Sequence, residues 1–167
     1  TLISKNYKLF RYEQHWKRME KGANICNLEI PDREKVKKLI EKWVKKYELK
    51  EAYIRINLWR AKPFIFSPGK EKRTNYLVII RKFKPYPEKF YKRGMRCIIS
   101  KKIVKNEKSI VSQVKSFNYF ENIILKIEAT KKGYDDAIVS NTEGYISEAS
   151  VSNIFFVKNG SVYTPSL

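Results

Sequence analysis

The strongest constraint on this chain is a change of hydrophobic period between residues 31 and 60. Pro31 and Asp32 form a helix start signal, and Val36, Leu39, Ile40, Trp43, Val44 and Tyr47 then recur at i, i+3, i+4 and i+7. That stripe predicts a helix whose apolar side is core. A few residues later the period drops to two: in AYIRINLWR, residues 52–60, Ile54, Ile56 and Leu58 alternate with Tyr53, Arg55, Asn57 and Trp59. A helix and a strand this close in sequence bury their apolar sides together by laying the helix on a sheet.

The pattern extends in both directions. KLFRYEQHWKRMEKGANICNLEI, from Lys8, is expected as a short strand passing into a helix that carries His15, Arg18 and Met19 on one side. YLVIIRKF at 76–83 is apolar enough for a central strand, and PFIFSPGKEKRTN before it, with its Pro-Gly pair, predicts a hairpin or longer loop. Residues 1–83 therefore read as a small α+β domain, KPYPEKFYKRG at 84–94 as an interdomain linker, and residues 95–167 as a second, mixed domain. In the second domain MRCIIS predicts a strand and KKIVKNEKSIVSQV a polar connection. A helix is expected over 117–132, burying Phe117, Phe120, Ile124 and Ile127 or near neighbours, with Gly133 as its cap. The remainder alternates strand and turn as an antiparallel meander.

Composition narrows the class. With 43% hydrophobic and 14% aromatic residues the chain can build a core and is not of the disordered type. No apolar run approaches the roughly 18–20 residues that span a bilayer, and the first ten residues lack the apolar region of a secretory signal. Cys26 and Cys97 are far apart, without metal spacing, and are expected as buried reduced thiols of a cytoplasmic protein. The net charge of +19 raises the question of nucleic acid. The lysines are spread along the chain, however, and EKVKKLIEKWVKKYELKE interleaves them with glutamates as a solvated helix face does. Neither zinc-finger spacing nor an RNP-type aromatic motif is present, so nucleic acid is not expected as the main partner.

Chemistry concentrates in residues 115–165. Lys115 opens an amphipathic helix, and Glu148 sits in an SEAS turn between two strand-like runs. A lysine amine can form a Schiff base and move protons, and a buried carboxylate can hold a proton on a heterocyclic nitrogen. Several short patterns surround this pair: His15 to Met19 as H-x-x-R-[LM], Trp59-Arg60-Ala61 as a threonine-arginine-glycine-like turn, and K-P-Y-P at 84–87. Further on, Lys115 to Tyr119 gives K-x-x-N-Y, Gly133 to Ala137 gives G-x-D-E-A with Asp136 for glutamate, and Ser147 to Phe155 gives S-E-G-x-x-x-N-[IL]-F with Ala149 for glycine. In this order and spacing the chain resembles the class IV aminotransferases, the pyridoxal-phosphate enzymes of fold type IV. Against that pattern, an N-terminal strand segment and everything after Thr164-Pro165 are expected to lie outside this sequence.

The resemblance implies roles. Lys115 would carry pyridoxal 5′-phosphate as a Schiff base and shuttle a proton at the substrate α-carbon. Glu148 would face the pyridine nitrogen, Arg18 the phosphate, and Tyr119 the cofactor's phenolic oxygen. Ser150, Ser152 and Asn153 would shape the turn beside the cofactor, and Arg55 and Arg60 are candidates for the substrate carboxylate. The resemblance further implies a homodimer acting on an amino-acid or aminodeoxychorismate-like substrate. The three-residue step from Lys115 to Asn118 is more like the lyase and D-amino-acid enzymes than the branched-chain ones, and KPYPEKFYKRG and NTEGYISEAS, similar to lyase-like members, lean the reading toward an aminodeoxychorismate lyase-like activity. Branched-chain and D-amino-acid aminotransferases remain as alternatives, AYIR at 52–55 being similar to a branched-chain strand. Two readings of another class stay open, an inactive fragment and a basic nucleic-acid-binding module.

Overall fold

In residues 2–62 and 72–166, which the computed structural model describes, the chain divides between Pro85 and Tyr86 into two units. The first contains β1 (Leu2–Lys5), β2 (Lys8–Leu9), α1 (Tyr12–Ile25), α2 (Arg33–Lys46), β3 (Glu51–Arg60) and β4 (Thr74–Lys82). Its sheet has the order β2-β1-β3-β4, each neighbour antiparallel. Asp32 starts α2 by accepting the Lys35 N–H at 2.7 Å, which satisfies one of the donors a helix leaves open at its first turn. Val36, Ile40 and Val44 of α2 then close over Leu2, Ala52 and Ile54 of the sheet, with Tyr12 and Trp16 of α1 completing the core. The Tyr12 hydroxyl donates to the Arg33 carbonyl at 2.9 Å and ties the start of one helix to the start of the other.

Two expectations change here. The apolar stripe of α2 is narrower than its sequence pattern: Leu39 and Tyr47 are exposed and Trp43 is half-buried. Trp43 and Tyr47 instead stack on each other, centroids 5.6 Å apart, an i, i+4 pair that covers part of its own apolar surface. β4 is an edge strand of the described sheet rather than a central one, with Tyr76, Leu77 and Ile79 exposed. Apolar content says that a strand can be covered, whereas strand order decides whether it is. The Pro-Gly break falls largely on residues 63–71, outside the described residues; on either side β3 and β4 pair as far as Arg60 and Thr74.

The second unit contains α3 (Glu88–Arg93), β5 (Cys97–Lys105), α4 (Ile110–Gln113), α5 (Phe120–Lys131), β6 (Asp136–Asn141), β7 (Ile146–Ala149), β8 (Phe156–Lys158) and β9 (Ser161–Tyr163). β5 and β6 run parallel with α5 in the connection between them, β7 pairs antiparallel to β6, and β8–β9 form a separate hairpin. The sheet is thus mixed, with the expected antiparallel pairing confined to β6–β7 and β8–β9. Leu125 and Ala129 pack on Ala137 and Val139, flanked by Ile98 and Ile103. Gly133, at φ 75°, takes the left-handed conformation that ends α5 and turns the chain into β6.

The predicted polar connection after MRCIIS begins as strand, with β5 continuing to Lys105 through a register shift between Ile99 and Val104, and ends in α4. The buried face of α5 is Leu125, Glu128 and Ala129, while Phe117, Phe120 and Ile127 are exposed. Glu128 can lie inward because the Ser100 hydroxyl donates to it at 2.7 Å and Lys132 at 2.8 Å. The stretch 84–94, expected as a linker, holds α3, which Arg93 fastens to Asp135 through two hydrogen bonds of 2.9 Å. The Arg93 hydrogen bonds, and then the Arg96 backbone N–H at 2.8 Å, hold the Asp135 carboxyl far below the usual range. Cys26 and Cys97 are both free and exposed rather than buried, because they occupy the end of α1 and the first position of β5. Partial burial, and next Asp136 and Asp135, raise the Cys97 thiol. Among the described residues no helix is long and apolar enough to cross a membrane.

Candidate active site

Lys115 lies in the segment between α4 and α5, exposed, with its ammonium 5.7 Å from the centre of the Tyr119 ring. The contact is of cation–π type and directs the amine along the approach to α5, of which Tyr119 is the N-terminal cap residue. Lys115 makes no ion pair among the described residues, so its amine has no carboxylate competing for it.

Glu148 stands on β7 opposite Val139 of β6. Its Oε1 lies 3.5 Å from the Lys105 ammonium, at the end of β5. The same ammonium is 3.0 Å from Glu121 Oε2 and 3.4 Å from Asn122 Oδ1, both in the first turn of α5. Asn122 in turn donates through Nδ2 to the Ser150 carbonyl at 2.6 Å. The three elements β5, α5 and β7 therefore meet around one lysine, and the helix that follows Lys115 is joined to the strand that bears Glu148. Sequence reasoning missed Lys105, Glu121 and Asn122, because no residue-type signal separates this lysine from its many neighbours.

Below this layer the turn after Glu148 is pinned from inside. The buried Ser150 hydroxyl donates to Asp136 Oδ1, and the Ser150 N–H donates to the Ala137 carbonyl at 2.9 Å. Asp136 also accepts its neighbour's backbone N–H, from Ala137, at 2.8 Å and lies 3.6 Å from the Lys126 ammonium. The Ala149 N–H donates to the Ser152 carbonyl at 2.9 Å, closing the turn, and leaves Ser152 and Asn153 on the surface. The Ser150 side chain thus holds the turn through Asp136, whereas Ser152 and Asn153 are exposed.

The remaining sequence-predicted residues lie in the first unit. Arg18 is on the exposed side of α1, and its Nη2 lies 3.1 Å from His15 Nδ1, which makes that ring nitrogen the acceptor. Partial burial, and next the Arg18 charge, lower the His15 imidazole below its ordinary value. Arg55 is half-buried on β3, opposite Ile79. Arg60, at the end of β3, donates to the Cys26 and Asn27 carbonyls at 3.1 and 3.4 Å and so closes the C-terminal end of α1.

Comparison with known proteins gives the family. The family model "Amino-transferase class IV" matches residues 1–167. A Rickettsia bellii protein described as "Probable branched-chain-amino-acid aminotransferase" is 31% identical over 163 residues, 96% of this chain and 55% of that protein. Among solved structures, the branched-chain aminotransferase of Thermoproteus uzoniensis with norvaline superposes with a TM-score of 0.84 at 26% identity, covering 98% of this chain and 57% of that one. A 4-amino-4-deoxychorismate lyase-type structure from Legionella pneumophila gives a TM-score of 0.78 at 21% identity over 98% of this chain and 59% of that one, a likeness of fold. The chain spans about half the length of the relatives it matches. Enzymes of this family use pyridoxal phosphate. With the class IV family model matched over residues 1–167, this chain belongs to the class IV aminotransferases.

Proposed function

We propose that the chain carries the Schiff-base lysine and ring-nitrogen glutamate of a pyridoxal-phosphate enzyme that moves an amino group from a branched-chain amino acid to a 2-oxo acid. The observation that carries this reading is the linkage, within one unit, of the Lys115 segment to Glu148 through Lys105 and the first turn of α5. The donor set fits the cofactor. The Lys115 amine suits its aldehyde, the Glu148 carboxylate suits a ring N–H, and the Arg18 guanidinium suits its phosphate. Tyr119 is assigned to the phenolic oxygen, and the turn of Ser152 and Asn153 to the cofactor's edge.

When bound, the cofactor supplies an electron sink for chemistry at the substrate α-carbon. The Lys115 amine, freed by exchange with the substrate, would take the α-proton and return it to the former aldehyde carbon of the cofactor, across the shared nitrogen. Glu148 keeps a proton on the ring nitrogen. Arg55 and Arg60 are the candidates for the substrate carboxylate, whose planar charge a guanidinium suits. The working unit is taken as a homodimer.

Amino-group transfer is preferred because branched-chain aminotransferases are the relatives at 31% identity. The lyase-like activity stays as a second reading on the three-residue step from Lys115 to Asn118. Purified protein titrated with pyridoxal phosphate should develop absorbance at about 410–430 nm that borohydride removes, leaving reduced cofactor on Lys115 by peptide mapping. Identical spectra for the wild type and Lys115→Ala would sink the assignment. Turnover of leucine only with a 2-oxo acid present marks the transferase, and turnover of an aminodeoxychorismate-like substrate without that acceptor marks the lyase.

A further inference from the structure

We propose that Lys105 is the positioning residue for Glu148, holding its carboxylate at the angle from which it meets the cofactor ring nitrogen. This inference rests on the cofactor reading above and assigns a role to a residue that no motif marks. The geometry is specific. One ammonium lies 3.0 Å from Glu121, 3.5 Å from Glu148 and 3.4 Å from the Asn122 carbonyl oxygen. Of the three charged partners it is the covered one: its side chain is 17% exposed, against 54% for Glu121 and 40% for Glu148. Lys105 is thus the covered member, held between the sheet and α5, and the two glutamates are its more exposed partners.

The consequences follow from electrostatics and entropy. Two carboxylates around one ammonium leave a single negative charge uncompensated, the sign that a protonated ring nitrogen calls for. Glu148 Oε1 lies 3.5 Å from Lys105, and a carboxylate has acceptor sites enough to meet a ring N–H as well. Lys105 also controls the backbone beyond the glutamate, because Asn122, which accepts from it, donates to the Ser150 carbonyl at 2.6 Å. A partly exposed glutamate otherwise surrenders its rotamer freedom at the moment of binding. Without the ammonium, Glu121 and Glu148 repel each other, and Glu148 turns to solvent.

The test is the Kd of pyridoxal phosphate, read by absorbance titration of the full-length protein, for wild type, Lys105→Met and Lys105→Arg. Each is measured with the natural cofactor and with 1-deazapyridoxal phosphate, which has a C–H in place of the ring nitrogen. Lys105→Met should weaken the natural cofactor by about fivefold, the scale of a screened ion pair. Lys105→Arg should restore binding to within about twofold of wild type. With the deaza cofactor, wild type and Lys105→Met should bind alike, since nothing on the ring then needs Glu148. An equal loss with both cofactors would show a packing role and overturn the proposal, as would no loss with either. Lys105→Gln serves in the same comparison if the methionine variant does not fold. Failure of wild type to bind pyridoxal phosphate at all would refute the cofactor reading itself, and this proposal with it, before any variant is made.

Discussion

Replacing Asp136 by alanine should loosen the turn that carries Glu148 without touching any residue assigned to the chemistry. Asp136 is 2% exposed and accepts from the Ser150 hydroxyl and from the Ala137 N–H. Truncation leaves the buried Ser150 hydroxyl without its acceptor, which costs about 1–3 kcal/mol. The ion pair with Lys126 adds little, because that side chain is 43% exposed and turns readily to water. A total of about 1–3 kcal/mol corresponds to about 5–150-fold faster opening of the turn, provided it opens locally. Amide hydrogen exchange followed by mass spectrometry, on peptides spanning β6 and residues 149–153, reads this directly. The relevant amide is that of Ser150, bonded to the Ala137 carbonyl. Asp136→Asn, which retains an acceptor oxygen, should show less than half of the free-energy change. If Asp136→Ala accelerates exchange there by less than about threefold, or if the asparagine variant is as damaging as the alanine one, the buried hydrogen bond is not what holds the turn.

Two further outcomes test the first unit. Ile40→Ala removes a fully buried side chain from the centre of the α2–sheet core and should cost about 3–4 kcal/mol in urea denaturation, followed by tryptophan fluorescence because Trp16 lies in the same cluster. A loss below about 1 kcal/mol would mean that this core does not carry the unit. His15 is held below its ordinary value by burial and then by Arg18, so the unfolded chain takes up its proton first as the pH falls. Its contribution is therefore intact above about pH 6.5 and is lost progressively below it. His15→Gln should flatten the stability profile between about pH 6.5 and 5, and an unchanged slope would contradict the assignment.

Much of the architecture was legible because it depends on local patterns. The α2 helix announces itself by Pro31-Asp32 and its apolar spacing, and the Asp32 cap forms with the Lys35 N–H as such a signal requires. The phase of α5 was not legible. Phe120 and Ile127 have the better apolar credentials, yet Glu128 faces inward because Ser100 and Lys132, distant in sequence or one turn away, satisfy it. The edge position of β4 was equally hidden, since strand order is a property of the whole sheet. In the candidate site, Lys115 and Glu148 stood out by motif. Lys105 did not, because its meaning lies wholly in what α5 and β7 bring to it.

The amino-acid sequence by itself therefore determined the family, and it placed α2 and β3. These rest on residue identity and short-range spacing, which a linear chain displays in full. Only the tertiary structure decided that Ser150 turns inward to Asp136, that Arg60 closes a helix end, and that Lys105 stands between Glu121 and Glu148. Each of those is a pairing of charges or hydrogen-bonding groups across elements. Burial gives such a pairing its energy, and burial exists only once the elements have packed.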